Sequence, residues 1–452
     1  MSQVPSIPQS EFIARRQRFF DQMADNSVAV FAAAQELTRS RDTEFLFRQD
    51  SDFFYLTGFA EPDALLILSK GQNKGQSKGE SNETKLLCRN KDKLAEIWQG
   101  RRLGPEAAVE ALKVDEAFDI ADASEQLRKA LDGKQRVYFI QGIYPEFDQQ
   151  ILATLSLLRS GPKKGWKAPK EIFDARTILH EMRLIKSEAE IAVMREAGVI
   201  SADAHHRAMR FAKDGATEYQ LEAEIHHEFA MRSARSPAYG TIVGSGDNAC
   251  ILHYTENADG LKDGDLVLID AGCELQGYAA DITRTFPVSG KFSEPQRKLY
   301  QLVLDAQKAA MALVTPGNTI KQVGDKAIEV LTAGLIKLGI LEGELETLIK
   351  EKAYAAYYMH GIGHWLGLDV HDVGEYKVDD TERPFEPGMV LTIEPGLYIA
   401  LDAEVDAQWR GTGIRIEDNL LVTKSGHDNL TASAVKELDQ VEQMMAGEAV
   451  TA

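Results

Sequence analysis

One motif, written twice in the second half of the chain, narrows what this sequence can fold into more than any other feature. Gly264-Asp265-Leu266-Val267-Leu268-Ile269-Asp270-Ala271-Gly272 matches Gly388-Met389-Val390-Leu391-Thr392-Ile393-Glu394-Pro395-Gly396: a glycine, an apolar strand, a carboxylate, then glycine one residue on. Each copy is followed by a second apolar strand with a carboxylate inside it, Ala280-Asp281-Ile282-Thr283 and Arg415-Ile416-Glu417-Asp418. The helix starts repeat too. Gly215-Ala216-Thr217-Glu218-Tyr219-Gln220 and Gly317-Asn318-Thr319-Ile320-Lys321-Gln322 both set Thr three residues ahead of Gln, a capping box. The pattern predicts two related α/β halves around a pseudo-twofold axis.

Carboxylates inside apolar strands need an explanation. Burying a lone carboxylate costs several kcal/mol unless it is paired or coordinates a metal. No Lys lies within the four segments, although Arg284 and Arg415 are close by. A single Asp at a strand end is usually a structural cap. Four carboxylates, two from each half, cannot neutralise one another, and a cation cluster is the economical solution.

His364 adds a nitrogen donor. It stands in His360-Gly361-Ile362-Gly363-His364-Trp365-Leu366-Gly367-Leu368-Asp369-Val370-His371-Asp372, where small residues allow close backbone approach. Asp270, Asp281, His364, Glu394 and Glu417 make a hard, oxygen-rich set suited to two divalent ions, Mn²⁺ first, with Co²⁺ or Zn²⁺ as alternatives. Two such ions ~3.5–4 Å apart can bridge a water, ionise it near neutral pH and polarise a carbonyl. His253 on its own reads as a core or surface histidine, and one of His360 and His371 could be structural. The adjacent pairs His205-His206 and His226-His227 read as structural. Gly411-Thr412-Gly413 and Gly244-Ser245-Gly246 complete no phosphate-loop pattern, and neither is expected to lead a strand into a helix.

The rest of the chain reads as a mixed α/β domain over residues 1–174, followed by the chemistry-bearing domain at 175–452. All ten histidines lie at position 180 or later. Ala64-Leu65-Leu66-Ile67-Leu68, Lys85-Leu86-Leu87-Cys88 and Arg136-Val137-Tyr138-Phe139-Ile140 are strand candidates. The Gly, Ser, Lys and Asn tract at 69–84 reads as a long flexible hairpin loop, and the Gly, Pro and Lys cluster at 161–170 as a linker. Ser187-Glu188-Ala189-Glu190 is a capping box opening the second domain. The formal charge of −19 argues against nucleic acid or an anionic membrane as partner. No secretory signal and no apolar run of membrane-spanning length is visible, so a cytoplasmic location is expected. The cysteines Cys88, Cys250 and Cys273 are widely spaced and read as small hydrophobes in a reducing compartment.

At these motifs the sequence resembles the creatinase/aminopeptidase superfamily, peptidase family M24, with the pita-bread fold, and within it the Xaa-Pro aminopeptidase (aminopeptidase P) family. The resemblance also runs through Phe53-Phe54-Tyr55-Leu56-Thr57-Gly58-Phe59 and Ile97-Trp98-Gln99-Gly100-Arg101-Arg102, and so covers nearly the whole chain. It implies a creatinase-like N-terminal domain and a pita-bread catalytic domain. One ion would be held by Asp270, Asp281 and Glu417, the other by Asp281, His364, Glu394 and Glu417. The resemblance further implies that His253, His360 and His371 line the substrate site, and that Glu394 or a histidine carries the proton to the leaving nitrogen. Tyr398 and Arg415 would be outer or substrate contacts. Trp98 resembles a residue that reaches a neighbouring subunit's site, which requires a homo-oligomer, a dimer or tetramer. The implied substrates are peptides with proline at position 2. Prolidase shares the five ligands and stays open as an alternative, as does a non-catalytic binding module on the same fold. Methionine aminopeptidase, which usually lacks so large an N-terminal domain, and a metal-independent creatinase-type hydrolase fit less well.

Overall fold

The computed structural model describes residues 4–71 and 82–448. They form two compact units, one within 7–182 and the other 183–448 together with 4–6.

In the first unit, six strands make one mixed sheet: β1 (Ser27–Ala32), β2 (Leu65–Lys70), β3 (Glu83–Cys88), β4 (Glu116–Asp119), β5 (Arg136–Phe139) and β6 (Glu171–Asp174). Their spatial order is β4-β3-β2-β1-β5-β6. Val28, Val30, Leu65 and Ile67 on one face pack on α3 (Ala123–Leu131) and α4 (Pro145–Ser160) through Leu127, Leu131, Ile151 and Leu155. On α1 (Gln9–Gln22), Phe19 is fully buried and meets Phe31 edge to face at 5.3 Å. All three strand candidates are strands. The first two reach into the polar tract as far as Lys70 and Glu83, and 72–81 within it lie outside the described residues. The 161–170 cluster does not end the domain. Beyond it the chain returns through Lys170 N–H and Glu171 N–H, both donated to the Gln135 carbonyl, and adds β6 in parallel to β5. The helix α2 (Lys93–Gln99) carries Trp98, which is 82% exposed.

The second unit contains the repeat. Its first half has α5 (Glu188–Phe211), α6 (Glu218–Met231), β7 (Ile242–Ser245), β8 (Leu266–Asp270) and β9 (Thr283–Pro287). Its second half has α7 (Glu294–Met311), α8 (Ile320–Lys337), β10 (Val390–Ile393), β11 (Gly396–Ile399), β12 (Thr412–Arg415), β13 (Asp418–Thr423) and β14 (Gly426–Asn429). The boxes foreseen at Ser187–Glu190 and Thr319–Gln322 cap α5 and α8, and at Thr217–Gln220 the Gln220 Oε1 accepts from Thr217 N–H at 3.0 Å at the start of α6. Strands β8 and β10 pair antiparallel with β9 and β13, giving the sheets β7-β8-β9 and β10-β13-β14.

Two details depart from the sequence reading. Asp281 and Glu417 do not lie inside strands. They occupy the irregular residues just before β9 and between β12 and β13, where the backbone leaves its ladder and can turn a side chain inward. Gly244-Ser245-Gly246 does close a strand and enter a helical turn, a 3-10 helix over Gly246–Cys250. Among the described residues, no helix is long and apolar enough to cross a membrane.

A buried charge cluster ties the halves together. The fully buried Arg284 donates Nη2 to Asp418 Oδ1 at 2.8 Å, Nη1 to the Glu417 and Thr283 carbonyls, and Nε to the Val435 carbonyl. Asp418 Oδ2 also accepts from Lys436 Nζ at 2.6 Å and Gln307 Nε2 at 3.0 Å. Burial alone would raise the Asp418 pKa, but the Arg284 and Lys436 charges win and hold it below the usual carboxylate range. Removing one partner strands the others. Asp418→Ala should therefore cost about 3–5 kcal/mol in denaturant unfolding.

Candidate metal centre

The four strand-junction carboxylates and His364 meet at the floor of one cleft of about 460 Å³, within the range of ligand pockets. Asp270 ends β8, Glu394 follows β10, and Asp281 and Glu417 precede β9 and β13. Glycines permit this convergence. A Cβ at Gly272 would lie 1.7 Å from the Ala280 carbonyl oxygen, and one at Gly363 would lie 2.0 Å from that of Thr392. With Gly363 pressed onto β10, His364 N–H donates to Thr392 Oγ1 at 3.0 Å and Thr392 N–H to the His364 carbonyl at 2.9 Å. The imidazole is oriented by Nδ1–H donating to the Trp365 carbonyl at 2.9 Å, which turns Nε2 toward Asp281 Oδ2 (3.4 Å) and Glu394 Oε1 (3.6 Å).

The carboxylates lack enough donors. Tyr239 O–H lies 2.6 Å from Asp270 Oδ1 and 2.5 Å from Asp281 Oδ1, but its single proton cannot serve both at once. Arg415 Nη2 donates to Asp270 Oδ2 at 2.6 Å, so one of the four does have a guanidinium partner after all. Thr283 O–H serves Glu417 Oε2 at 2.7 Å, and Glu417 Oε1 is buried with no partner among the described residues. With all four carboxylates ionised and His364 neutral, Arg415 alone would leave a formal charge of −3.

The pKa shifts express that imbalance. Burial first, then the Asp281, Glu394 and Asp270 charges, push Glu417 well above the carboxylate range. Burial, then Asp270, raises Asp281, and burial lifts Glu394 to about 7 against the opposing charges of His364 and Arg415. Burial pulls His364 down, but its hydrogen bond to Asp281 and the Asp281 and Glu394 charges outweigh it and raise the group to about 9. A proton on Nε2 thus does the work that a cation would do better. Asp281, His364 and Glu417 each present a ligand atom within 4.8 Å of the others. The orphaned Glu417 oxygen, the raised carboxylates and the Nε2 aimed between Asp281 and Glu394 all fit a divalent metal.

The other candidates divide. His253, His360, His371 and Arg415 line the same cleft. His371 lies edge-on to His364 with ring centroids 4.2 Å apart, and burial, then the His364 charge, lower its pKa. His360 donates Nδ1–H to the Gly361 carbonyl, so its Nε2 accepts from Tyr398 O–H at 2.9 Å. Tyr398 in turn accepts from Arg415 Nη1 at 2.9 Å. Burial, with Arg415, brings His360 down to about 4, so it is neutral at pH 7. Trp98 belongs to the other unit and is not among the residues lining this cleft. His205, buried on α5, bonds the Ala271 carbonyl through Nε2, and His226 bonds Thr241 Oγ1, in keeping with structural roles.

Sequence reasoning missed Tyr239. It follows the short strand Ser236–Pro237, with no charge or periodicity to single it out; the pairing of that strand with Cys273–Leu275 on one side and of β7 with β8 on the other brings it to Asp270. Tyr239→Phe removes the shared donor while keeping the ring. It should weaken Mn²⁺ affinity by about 10–100-fold, the usual cost of losing a residue that orients metal ligands, as measured by competition with a fluorescent chelator.

Comparison with known proteins agrees with this geometry. The profile of Metallopeptidase family M24 matches residues 192–424, and that of Aminopeptidase P, N-terminal domain, matches residues 12–138. The Xaa-Pro aminopeptidase of Escherichia coli (strain K12) is 51% identical over 97% of this chain and 98% of its own length. That of Haemophilus influenzae is 48% identical over 98% of this chain and 99% of its own. Among solved structures, zinc-substituted E. coli aminopeptidase P in complex with product superposes with a TM-score of 0.95 at 50% identity, covering 99% of this chain and 100% of that one. Proline aminopeptidase P II from Yersinia pestis gives 0.94 at 52% identity, with 98% and 100% covered. With an aminopeptidase P N-terminal domain ahead of a repeated α/β unit whose carboxylates and histidine form a metal-binding group, this chain belongs to metallopeptidase family M24.

Proposed function

We propose that this protein is an Xaa-Pro aminopeptidase, a metallo-exopeptidase that releases the N-terminal residue from peptides with proline at the second position. The observation that carries the reading is the set of four carboxylates, Asp281 and Glu417 buried and Asp270 and Glu394 half-buried, with one oriented imidazole lining one cleft, in a chain about half identical to E. coli Xaa-Pro aminopeptidase along nearly its whole length. Asp270, Asp281 and Glu417 would hold one divalent ion, and Asp281, His364, Glu394 and Glu417 a second. Manganese suits the oxygen-rich set best, with cobalt or zinc as alternatives. When bound, such a pair supplies Lewis acidity and an activated water.

The chain's own groups do the rest. The acidic floor attracts the substrate's free ammonium and so favours its amino end over internal peptide bonds. Arg415 fixes Asp270 on one side and, through Tyr398, holds His360 in a single tautomer on the other. His371, lowered and therefore neutral at pH 7, keeps an N–H to donate to the scissile carbonyl or, with His253, to the proline side. Glu394, which lines the cleft, would take a proton on a carboxylate oxygen and give it to the leaving nitrogen. A prolyl amide has no N–H, so a site built around the ring rejects ordinary peptides by shape and by leaving polar groups unpaired.

Residues 1–174 are read as the domain for oligomerisation and substrate access, and 175–452 as the catalytic domain. The exposed Leu94, Ile97 and Trp98 on one short helix support a homo-oligomer, dimer or tetramer, in which Trp98 serves a neighbouring subunit. The protein is read as cytoplasmic, with peptides and neither nucleic acid nor membrane as partners. The test is mass spectrometry of Gly-Pro-Ala and Gly-Pro incubated with chelator-stripped protein, with and without added Mn²⁺. Free glycine from the tripeptide alone, and only with metal, is expected. Cleavage confined to the dipeptide would make it a prolidase, and no cleavage with metal bound would leave a binding module.

A further inference from the structure

His253 lines the metal cleft from the connection between β7 and β8, which has no helix or strand after its opening 3-10 turn. Leu252 and Thr255, from the same segment, line the cleft beside it. His253 and Thr255 are exposed, and no hydrogen bond holds the His253 ring among the described residues. The ring therefore keeps its place only as well as the backbone beneath it does.

That backbone is gripped from inside by one side chain. Glu218, the first residue of α6, is fully buried and is not among the residues lining the cleft. Its Oε1 accepts from Ser245 N–H at 2.8 Å and Asn248 Nδ2 at 3.0 Å. Its Oε2 accepts from Tyr254 O–H at 2.9 Å and Asp259 N–H at 2.8 Å. The four donors span residues 245–259 and bracket His253 on both sides. A buried carboxylate is costly unless its lone pairs are all used, and here four donors use them without a Lys or Arg. The internal repeat separates this duty from the needs of the fold. In the matching register, Thr319-Ile320-Lys321-Gln322 against Thr217-Glu218-Tyr219-Gln220, the second half has Ile320 at this position. Starting the helix does not require the carboxylate; it belongs to the half whose connection carries His253.

We propose that Glu218 is a positioning residue for the peptidase reaction, fixing the β7–β8 connection and, through it, the place of His253 in the cleft. The inference rests on the aminopeptidase reading, in which His253 faces the substrate, and makes turnover depend on a residue outside the cleft.

Glutamine keeps the shape of Glu218 but sets an amide NH₂ against two of the four donors, so one limb of the connection loses its hold. Mn²⁺-loaded wild type, Glu218→Gln, His253→Ala and the double variant are compared on Gly-Pro-Ala, each below its melting temperature. His253→Ala should lower kcat/KM about a hundredfold, the worth of one donor to a developing charge. Glu218→Gln should lower it by about 10–100-fold, the scale of loss from misplacing a reacting group by ~1 Å. In the double variant the Glu218 change should add no more than about twofold, because the group it positions is already gone. Mn²⁺ affinity should match wild type throughout. Should Glu218→Gln fail to fold, Tyr254→Phe takes its place: removing one donor of four should cost about threefold, again only where His253 is present. Full activity in the variant used, an equal loss with and without His253, or a loss explained by weaker Mn²⁺ binding overturns the positioning role and leaves the activity standing. A fully active His253→Ala does the same. No cleavage by wild type overturns the activity reading and the proposal with it.

Discussion

Asp281→Asn should reduce turnover of Gly-Pro-Ala by at least about a thousandfold, well beyond the 10–100-fold expected for a residue that only orients ligands, and yet should not destabilise the metal-free protein. The two outcomes come from one feature. Asp281 is the carboxylate closest to His364 Nε2, its Oδ1 shares a single proton donor with Asp270, and it is proposed to serve both ions. An amide of the same shape cannot bridge two cations. In the metal-free fold, however, burial and the Asp270 charge penalise the ionised form, so replacing it by a neutral group relieves repulsion. The loss of Asp281 Oδ2 as partner to protonated His364 works against this gain, so the metal-free melting temperature should be unchanged or slightly higher. The stabilisation on adding Mn²⁺, about 2.7 kcal/mol at a hundred times the dissociation constant, should vanish. A variant that is inactive and also melts far lower without metal would mark Asp281 as structural.

The second large effect concerns pH. Glu394 has its folded pKa raised from 4.5 to about 7, so its proton is held more tightly in the folded than in the unfolded chain. The stability this contributes is fully present below about pH 4.5 and is lost as pH rises through 7. By linkage it amounts to about 3 kcal/mol in the metal-free protein. Other buried groups run the opposite way. His205, near 3, and His360, near 4, are held neutral and oppose folding at low pH, so the raw profile is a sum. Glu394→Gln isolates the one term. Without metal, the melting temperature of this variant relative to wild type should climb between pH 5 and 8. With saturating Mn²⁺ the order should reverse, because wild type then gains a ligand that glutamine cannot supply. A difference that stays flat with pH in the metal-free pair would remove Glu394 from the repelling cluster.

The five candidate ligands were legible in the sequence because carboxylates set in apolar runs violate the rule that buried charge is paired, and the repeat made the violation occur in matched pairs. Helix starts were legible because a capping box is a local code. What the sequence did not carry is what depends on register. Asp281 and Glu417 read as strand residues because their neighbours are apolar, but the ladder breaks at each of them, and that break is what turns their side chains into the cleft. Tyr239 is an ordinary tyrosine until the strands on either side of it, Ser236–Pro237 and β7, pair with Cys273–Leu275 and β8. Arg284 and Arg415, both noted as nearby, take different work: one bonds four backbone carbonyls and Asp418, the other neutralises Asp270. Spacing alone could not separate them. The 161–170 cluster has linker composition, but the Lys170 and Glu171 N–H groups that draw β6 into the sheet donate to the carbonyl of Gln135, far from it in sequence.

The central claim is that Asp270, Asp281, His364, Glu394 and Glu417 hold two divalent ions. Crystals of stripped protein soaked in Mn²⁺, with diffraction recorded above the manganese absorption edge, test it most directly. The account predicts two anomalous peaks among these five side chains, with Asp281 and Glu417 touching both and His364 Nε2 touching one. A single peak, or two that leave Glu417 Oε1 without contact, would contradict it.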